Sequence, residues 1–332
     1  MREEKLIRVC DGKVLELETI RMLIEFNGKK ATLIVNIDIS EKKKMEEINR
    51  KMEESTKLLN EALEYDRLKT EFFANISHEL RTPINVILSA LQMCAFMLNN
   101  EKMKNDTDSL NKYFEMMRIN CFRLIRLVNN LLDISRLDTG SVSVEYKNCD
   151  IVKVIEDIVT SVAEYVKDAG IEIVFDTEIE EKVISVDPEK IERIMLNLLS
   201  NAVKFSGTNG RIFVSLYERN KKLFVSVKDW GVGIPEEKLT YIFDRFVQVD
   251  KSLSRSSEGS GIGLSIVKSL IELHGGNIYV NSKINVGSEF IIELPIRKLP
   301  KRKLSSRKHF GDYSNLDRVK IEFSDVYFHN MI

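Results

Sequence analysis

Cysteine, proline, histidine and tryptophan are all scarce in this 332-residue chain, at four, five, four and one. Cys10, Cys94, Cys121 and Cys149 are scattered without CxxC or CxxH spacing. That pattern offers neither a disulfide framework nor a zinc site, so a reducing, cytoplasmic setting is the expectation. No continuous run of about 18 apolar residues is present, so no membrane span is expected. The first residues, MREEKLIRVCDGK, lack the apolar core of a signal peptide. Charge of one sign is lacking too: 50 basic and 51 acidic residues leave a net −1, which gives no reason to expect a nucleic-acid partner. What is abundant is charge of both signs, 30 % of residues against 43 % hydrophobic, as in a globular protein with long exposed helices. The length suggests roughly two domains, at about 150 residues each.

Residues 1–40 carry strand-like runs, GKVLELETIRMLI and KKATLIVNIDI, separated by the turn signal FNGKK. About 40 residues are few for an independent core. From Ser40, a plausible helix N-cap, the chain loses Gly and Pro and becomes rich in Glu, Lys, Met and Leu. Met45, Ile48, Met52, Ser55, Leu59 and Ala62 follow heptad spacing; the alternatives are a coiled coil and a solvated single helix. Two longer helices are expected next. Phe73, Ile76, Leu80, Ile84, Ile87 and Leu91 form one apolar stripe, and Leu110, Phe114, Met117, Cys121, Leu124, Val128 and Leu131 another. Asp108 or Ser109 is the candidate cap between them. Such a hairpin encloses little core alone, so a homodimeric four-helix bundle is expected. Beyond SRLDTGSVSVEY, six strand-like runs alternate with helical patterns near 150–168, 188–205 and 261–274. The fold class is therefore α+β and multidomain, a helical hairpin followed by an α/β domain. After a basic stretch, the tail's DRVKIEFSDVYF is a candidate edge strand.

His78 lies in FFANISHELRTPINVI. At 100° per residue it sits about 200° from Ile76 and Leu80, hence on the solvent side of the hairpin. An incidental surface histidine and a functional one both fit that position. Glu79 is placed to accept a proton from one ring nitrogen, leaving the other as a nucleophile. Thr82, one turn along, shares the face of His78. Pro83 cannot donate to the Glu79 carbonyl, and a bend is expected there.

Three further segments suit a nucleotide. In NLLSNAVKFS, Asn197 and Asn201 share a helix face, with Lys204 three residues on. Amides suit a Mg²⁺ ion that takes most of its ligands from phosphate and water, and Lys204 supplies a point charge for phosphate. In DWGVGIP, Asp229 ends a strand as a candidate acceptor for an adenine amino group, and Gly231 and Gly233 permit close backbone approach. In EGSGIGLSIVKSLIELHGG, Gly259, Gly261 and Gly263 precede a helix whose first amides suit phosphate. This is neither the dinucleotide fingerprint nor a P-loop. VQVDKSLSRSSE ahead of it, with Lys251 and Arg255, has the texture of a lid.

SHELRTP, NLLSNAVKFS, DWGVGIPEEKLTYIFDRF and EGSGIGLSIVKSLIELHGG resemble, in order, the H, N, G1, F and G2 boxes of sensor histidine kinases, over about residues 66–295. The resemblance implies a dimerisation and phosphoacceptor hairpin at 66–138 and an ATP-binding α/β sandwich of the gyrase and Hsp90 type at 145–296. It implies that His78 is phosphorylated, Glu79 is its general base, and Thr82 serves dephosphorylation of the partner. It also implies ATP and Mg²⁺ as cofactors, with Asn201 as the metal ligand and Asn197 beside it. Lys204 meets phosphate, Asp229 meets adenine, the five glycines shape the site, and Phe243 and Phe246 form the F box. Residues 1–40 resemble the end of a PAS sensor domain, leading into a signalling helix at 41–65; 297–332 form a tail. The chain is thus expected to be a fragment of a longer sensor or to begin at an internal start. No receiver-like domain is present, so the expected phosphoryl acceptor is a separate response regulator. The competing readings are an ATP-driven machine of the gyrase type and a signalling scaffold without kinase activity.

Overall fold

A computed structural model describes residues 2–7, 14–100, 103, 106–207, 210–244, 261–300 and 315–326. The chain divides into two compact units, 1–69 and 70–332.

In the first unit, β1 (Arg2–Ile7), β2 (Val14–Phe26) and β3 (Lys29–Asp38) form an antiparallel sheet in that order. Asn27 and Gly28 make the β2–β3 turn with φ of 51° and 74°, the left-handed pair that a two-residue hairpin needs. Helix α1 (Ser40–Asn99) follows. The expected Ser40 cap is not formed. The first-turn bond runs from Lys43 N–H to the Ile39 carbonyl at 2.9 Å. The Ser40 hydroxyl instead accepts from Glu16 N–H at 2.8 Å, tying the helix start to β2.

α1 is one helix of 60 residues with Pro83 inside it, so the expected linker helix and first hairpin helix are a single element. No glycine interrupts it. α2 (Thr107–Asp138) is capped by Asp106 rather than Asp108 or Ser109: its carboxylate accepts from Ser109 N–H at 3.1 Å and from the Ser109 hydroxyl at 2.7 Å. Phe72, Ile76 and Leu80 of α1 join one apolar cluster with Leu131 and Ile134 of α2, so the chain reverses as a hairpin. The expected stripes straddle two faces. Phe72, Ile76, Pro83, Ala90, Cys94 and Met97 are the buried residues of α1, while Phe73, Ile84 and Leu91 are exposed. Both faces are apolar, and a single-face count merges them. For the same reason residues 82–99 hold no charge, and α1 contains an 18-residue window of mean hydropathy 1.3. By length and composition alone it is long and apolar enough to cross a membrane, contrary to expectation.

The remaining elements are β4 (Lys147–Asp150), α3 (Ile151–Val166), β5 (Glu172–Thr177), β6 (Val183–Val186), α4 (Pro188–Ser206), β7 (Arg211–Arg219), β8 (Lys222–Asp229), α5 (Gly263–Leu273), β9 (Asn277–Lys283), β10 (Gly287–Pro295) and α6 (Asn315–Glu322). A five-stranded sheet runs β5-β7-β8-β10-β9, parallel only between β5 and β7; β4 and β6 pair separately. Apolar faces of α3, α4 and α5 cover the sheet, with Ile155, Leu198 and Val267 buried among Val214, Val225 and Ile292. Through Val326, the expected edge strand at DRVKIEFSDVYF is instead helix α6 and the turn after it, packed on α2, α3 and α4, while Tyr327 and Phe328 lie outside the described residues. Val319 and Phe323, one helical turn apart, are both buried.

His274 fixes where α4 begins. Its Nε2 accepts from Asp187 N–H at 3.1 Å and its Nδ1 lies 2.7 Å from the Leu270 carbonyl, a pattern that requires the neutral, Nδ1-protonated ring. Asp187 in turn caps α4. Burial holds the imidazole below its ordinary value of 6.5. A depressed folded-state value means that stability is fully present above about 6.5 and is lost as pH falls through the folded value. Between pH 7 and 5 the wild type should lose about 1 kcal/mol or more of unfolding free energy beyond that lost by His274→Gln, the size of one broken buried hydrogen bond. Urea titrations at the two pH values measure the difference.

Candidate active site

Helix α4 carries Asn197, Asn201 and Lys204 on one face. Its sequence dictates the helix: Asp187 accepts from Glu189 and Lys190 N–H, Pro188 fills the first position, and Ile191, Ile194, Leu198 and Ala202 bury an adjacent side. Asn197 is buried under the start of α5. A Cβ on Gly263 would stand 2.3 Å from its Oδ1, so a larger residue there would displace the Asn197 amide. The Asn197 Nδ2 is buried without a hydrogen-bond partner, a donor left for a ligand to satisfy. Asn201 is half-buried one turn further on. The Lys204 side chain is only 9 % exposed, with Nζ 3.5 Å from Asp325 Oδ2. Burial pushes its ammonium down, while Asp325 and, more weakly, Glu79 of α1 push it up. Glu79 is thus within charge range of Lys204, which links the helix of His78 to α4.

Asp229 ends β8, 5 % exposed. Its Oδ1 accepts from Gly231 N–H at 2.9 Å and Ser288 N–H at 3.3 Å. Burial raises the carboxyl, and the two N–H bonds only partly offset it. The loop beyond is stitched on both sides: Val232 N–H donates to the Phe205 carbonyl and Asn285 N–H to the Val232 carbonyl. A Cβ at Gly231 would lie 2.1 Å from the Phe205 carbonyl oxygen, and one at Gly233 (φ +69°) 2.1 Å from that of Lys283. The sequence suggested that these glycines admit a ligand. In the structure their first requirement is to let the loop pass between the end of α4 and the β9–β10 turn.

His78 is exposed on α1, as the helical geometry implied; Glu79 is half-buried. Thr82 is exposed and its hydroxyl donates to the His78 carbonyl at 3.3 Å, which fixes it one turn beyond the ring. Phe243 packs edge-on to Phe290 with centroids 6.3 Å apart, a wall of the core. Gly261 adopts φ +65° just before α5. Gly259, Phe246, Lys251 and Arg255 lie outside the described residues.

Sequence reasoning passed over the charges beside Lys204. Arg126 of α2, Arg193 of α4, Glu322 at the end of α6 and Asp325 in the turn beyond it form a largely buried ion network with it. It also passed over Gly287 (φ +124°), at the start of β10, where an added Cβ would stand only 2.0 Å from the Asp229 carbonyl oxygen.

The residues present fit a nucleotide. A buried carboxylate acceptor at the end of β8, an unpartnered buried amide donor and a buried lysine on α4, and the glycine-bearing loop stitched to the end of α4 supply the donor, acceptor and charge that such a ligand needs. Among the described residues, no group of three or more His, Cys, Asp or Glu could hold a metal by itself. A magnesium ion supplied with phosphates, needing one amide oxygen from the protein, is compatible with Asn201.

Known proteins resemble this chain over the segments that carry these elements. Residues 68–140 match the family model described as His Kinase A (phospho-acceptor) domain. Residues 186–298 match that of the histidine kinase-, DNA gyrase B- and HSP90-like ATPases. Hybrid signal transduction histidine kinase D of Dictyostelium discoideum is 35 % identical over 267 residues, covering 78 % of this chain and 17 % of its own length. Sensor histidine kinase WalK of Bacillus subtilis is 32 % identical over 235 residues, 70 % of this chain and 38 % of its own. Full-length ShkA in complex with AMPPNP superposes with a TM-score of 0.51 at 26 % identity, over 70 % of this chain and 47 % of that one. Histidine kinase ThkA in complex with the response regulator TrrA shares the fold, with a TM-score of 0.50 at 23 % identity over 89 % and 78 %. The chain spans 17 to 38 % of the length of the curated relatives it matches.

Proposed function

Because the chain belongs to the sensor histidine kinases, we propose that it transfers the γ-phosphoryl group of ATP to a ring nitrogen of His78, and that an aspartate of a separate response regulator then receives it. The observation that carries this reading is the pairing, in one chain, of an exposed helical histidine with a buried-amide and glycine junction at α4 and α5.

Each residue has a role within it. Glu79 takes the proton from one ring nitrogen of His78, so that the lone pair of the other forms the N–P bond as the bond from the γ-phosphorus to the ADP oxygen breaks. Lys204 neutralises phosphate charge, Asp229 accepts from the adenine amino group, and the amides at the start of α5, with Gly261 and Gly263, hold phosphate. Asn201, with Asn197 beside it, holds Mg²⁺, which when bound would screen the charge on the phosphates. Thr82, on the face of His78, serves the reverse reaction on the partner. Ile84, Leu91 and Leu98 on α1, and Phe114 and Val128 on α2, are large exposed apolar residues at multiples of seven. Two copies of the hairpin would cover them in a homodimeric bundle. The uncharged window of α1 lies inside the segment matched to the phosphoacceptor domain, so we read it as bundle core rather than a membrane span, on a cytoplasmic chain. The sheet of residues 2–38 is read as the end of a PAS-like sensor.

The gyrase-type alternative needs a carboxylate on α4 to activate water. Asn197 stands at the junction instead, and Glu192, upstream, is held by Arg318 at 2.5 Å. Incubation with Mg-ATP should give phosphoprotein that is labile in acid and stable in alkali. Acid-stable label would indicate serine or threonine phosphorylation, and multiple-turnover hydrolysis without phosphoprotein would favour the gyrase type.

A further inference from the structure

The C-terminal segment brings its own anions to the cations beside the proposed phosphate site. Val319, Ile321 and Phe323 are all buried, and Phe323 meets Tyr165 of α3 edge-on at 5.7 Å. Val319 and Phe323, one turn apart, belong to the domain's apolar cluster and anchor the segment against it. Arg126 of α2 pairs with Glu322 at 2.8 Å and with Asp325. Arg193 of α4 pairs with Glu322, and Lys204 lies 3.5 Å from Asp325. The network also joins α2 to α4 directly, because Arg193 reaches Asp133 at 3.5 Å.

We propose that residues 315–326 act as an intramolecular anionic plug: Asp325 occupies the Lys204–Arg126 cation pair that phosphate would use, and the segment clasps the ATP-binding domain to α2. The proposal rests on reading Lys204 as a phosphate contact. Its physical basis is charge exclusion. Lys204 and Arg126 share the Asp325 carboxylate while Arg126 also holds Glu322, so a further anion in the same place would be repelled by carboxylates already there. Occupancy by Asp325 or by phosphate is therefore alternative. When the plug leaves, Lys204 and Arg126 need a replacement anion, which an arriving nucleotide provides. Docked and released tail thus become two states that nucleotide biases in opposite directions. The same two states would let any signal that loosens α2 raise the competence of the site. A plain structural staple would show the same contacts but no such competition.

The test uses the full chain and the non-hydrolysable nucleotide Mg-AMPPNP. Asp325→Asn keeps the shape of the segment and removes its charge. Calorimetry should show the variant binding AMPPNP about tenfold tighter than wild type, the change expected when the competent fraction rises from about a tenth to most of the population. Labelling of His78 by ATP should quicken in parallel. In wild type, saturating AMPPNP should accelerate hydrogen exchange at the amides of 319–326 by severalfold, a readout that needs no variant. Equal affinity of the two proteins, together with unchanged exchange in the tail, overturns the plug while leaving the kinase reading intact. Binding by neither protein overturns the nucleotide site itself and the plug with it.

Discussion

His78→Gln should abolish acid-labile phosphorylation while leaving the unfolding midpoint within about 0.5 kcal/mol of wild type, the range of a surface substitution. Both halves of that outcome follow from where the residue stands. His78 is exposed on a helix continuous on either side. Glutamine keeps good helix propensity and length but has no lone pair of imidazole basicity. His274 cannot substitute as acceptor, because it is buried and both ring nitrogens are engaged by backbone. Glu79→Gln should retain His78 and slow labelling by about 10² to 10⁴, the usual contribution of a positioned general base. Thr82→Ala should leave labelling near wild type and impair dephosphorylation of the phosphorylated partner. Timed labelling with ATP, followed by acid treatment, reads the first two. Label persisting at the wild-type rate in His78→Gln would move the acceptor elsewhere and remove the basis of the proposal.

Most strands of the second unit were legible because their apolar runs were bounded by polar turns, as in RIFVSLY and LFVSVKD, now β7 and β8. β4, KNCD, carries no such pattern and exists because β6 offers it a partner. The tail failed for a different reason. Val319, Ile321 and Phe323 alternate like a strand, but Val319 and Phe323 are also one helical turn apart, and over so few residues the two periods are indistinguishable. Tertiary contacts decided it. Glu322 is buried despite its charge because Arg126 and Arg193 meet it from two helices, and nothing local in the sequence announces that meeting. The residue types of the candidate site stand out in the sequence, and the fold places Asn197 and Lys204 on α4 and Asp229 at the end of β8, the strand that packs against it. The work of the site's glycines does not stand out. Gly231 and Gly263 are required first by neighbouring protein atoms, the Phe205 carbonyl and the Asn197 amide. Approach between segments distant in sequence leaves no periodic trace.

Asp229→Asn should weaken Mg-AMPPNP binding at least tenfold, about 1.4 kcal/mol, without destabilising the protein. Asparagine keeps an oxygen at the position that accepts from Gly231 and Ser288 N–H, so the loop retains its anchor. It places an amino group where the second carboxylate oxygen stands, and a donor facing the adenine amino group turns an attraction into a repulsion with an unpaired donor on each side. Stability should move the other way. Burial raises the Asp229 carboxyl above its ordinary value of 3.8. A raised folded-state value means that the stability this group contributes is fully present below the unfolded value and is lost as pH rises through the folded one. At neutral pH the wild type carries a buried charge that the amide does not. Asp229→Asn should therefore unfold at the same urea concentration as wild type or a higher one at pH 7, and the gap should close in acid. Loss of affinity accompanied by a lower midpoint would mean that Asp229 is chiefly a loop anchor. Unchanged affinity with an intact fold would exclude it from the adenine contact.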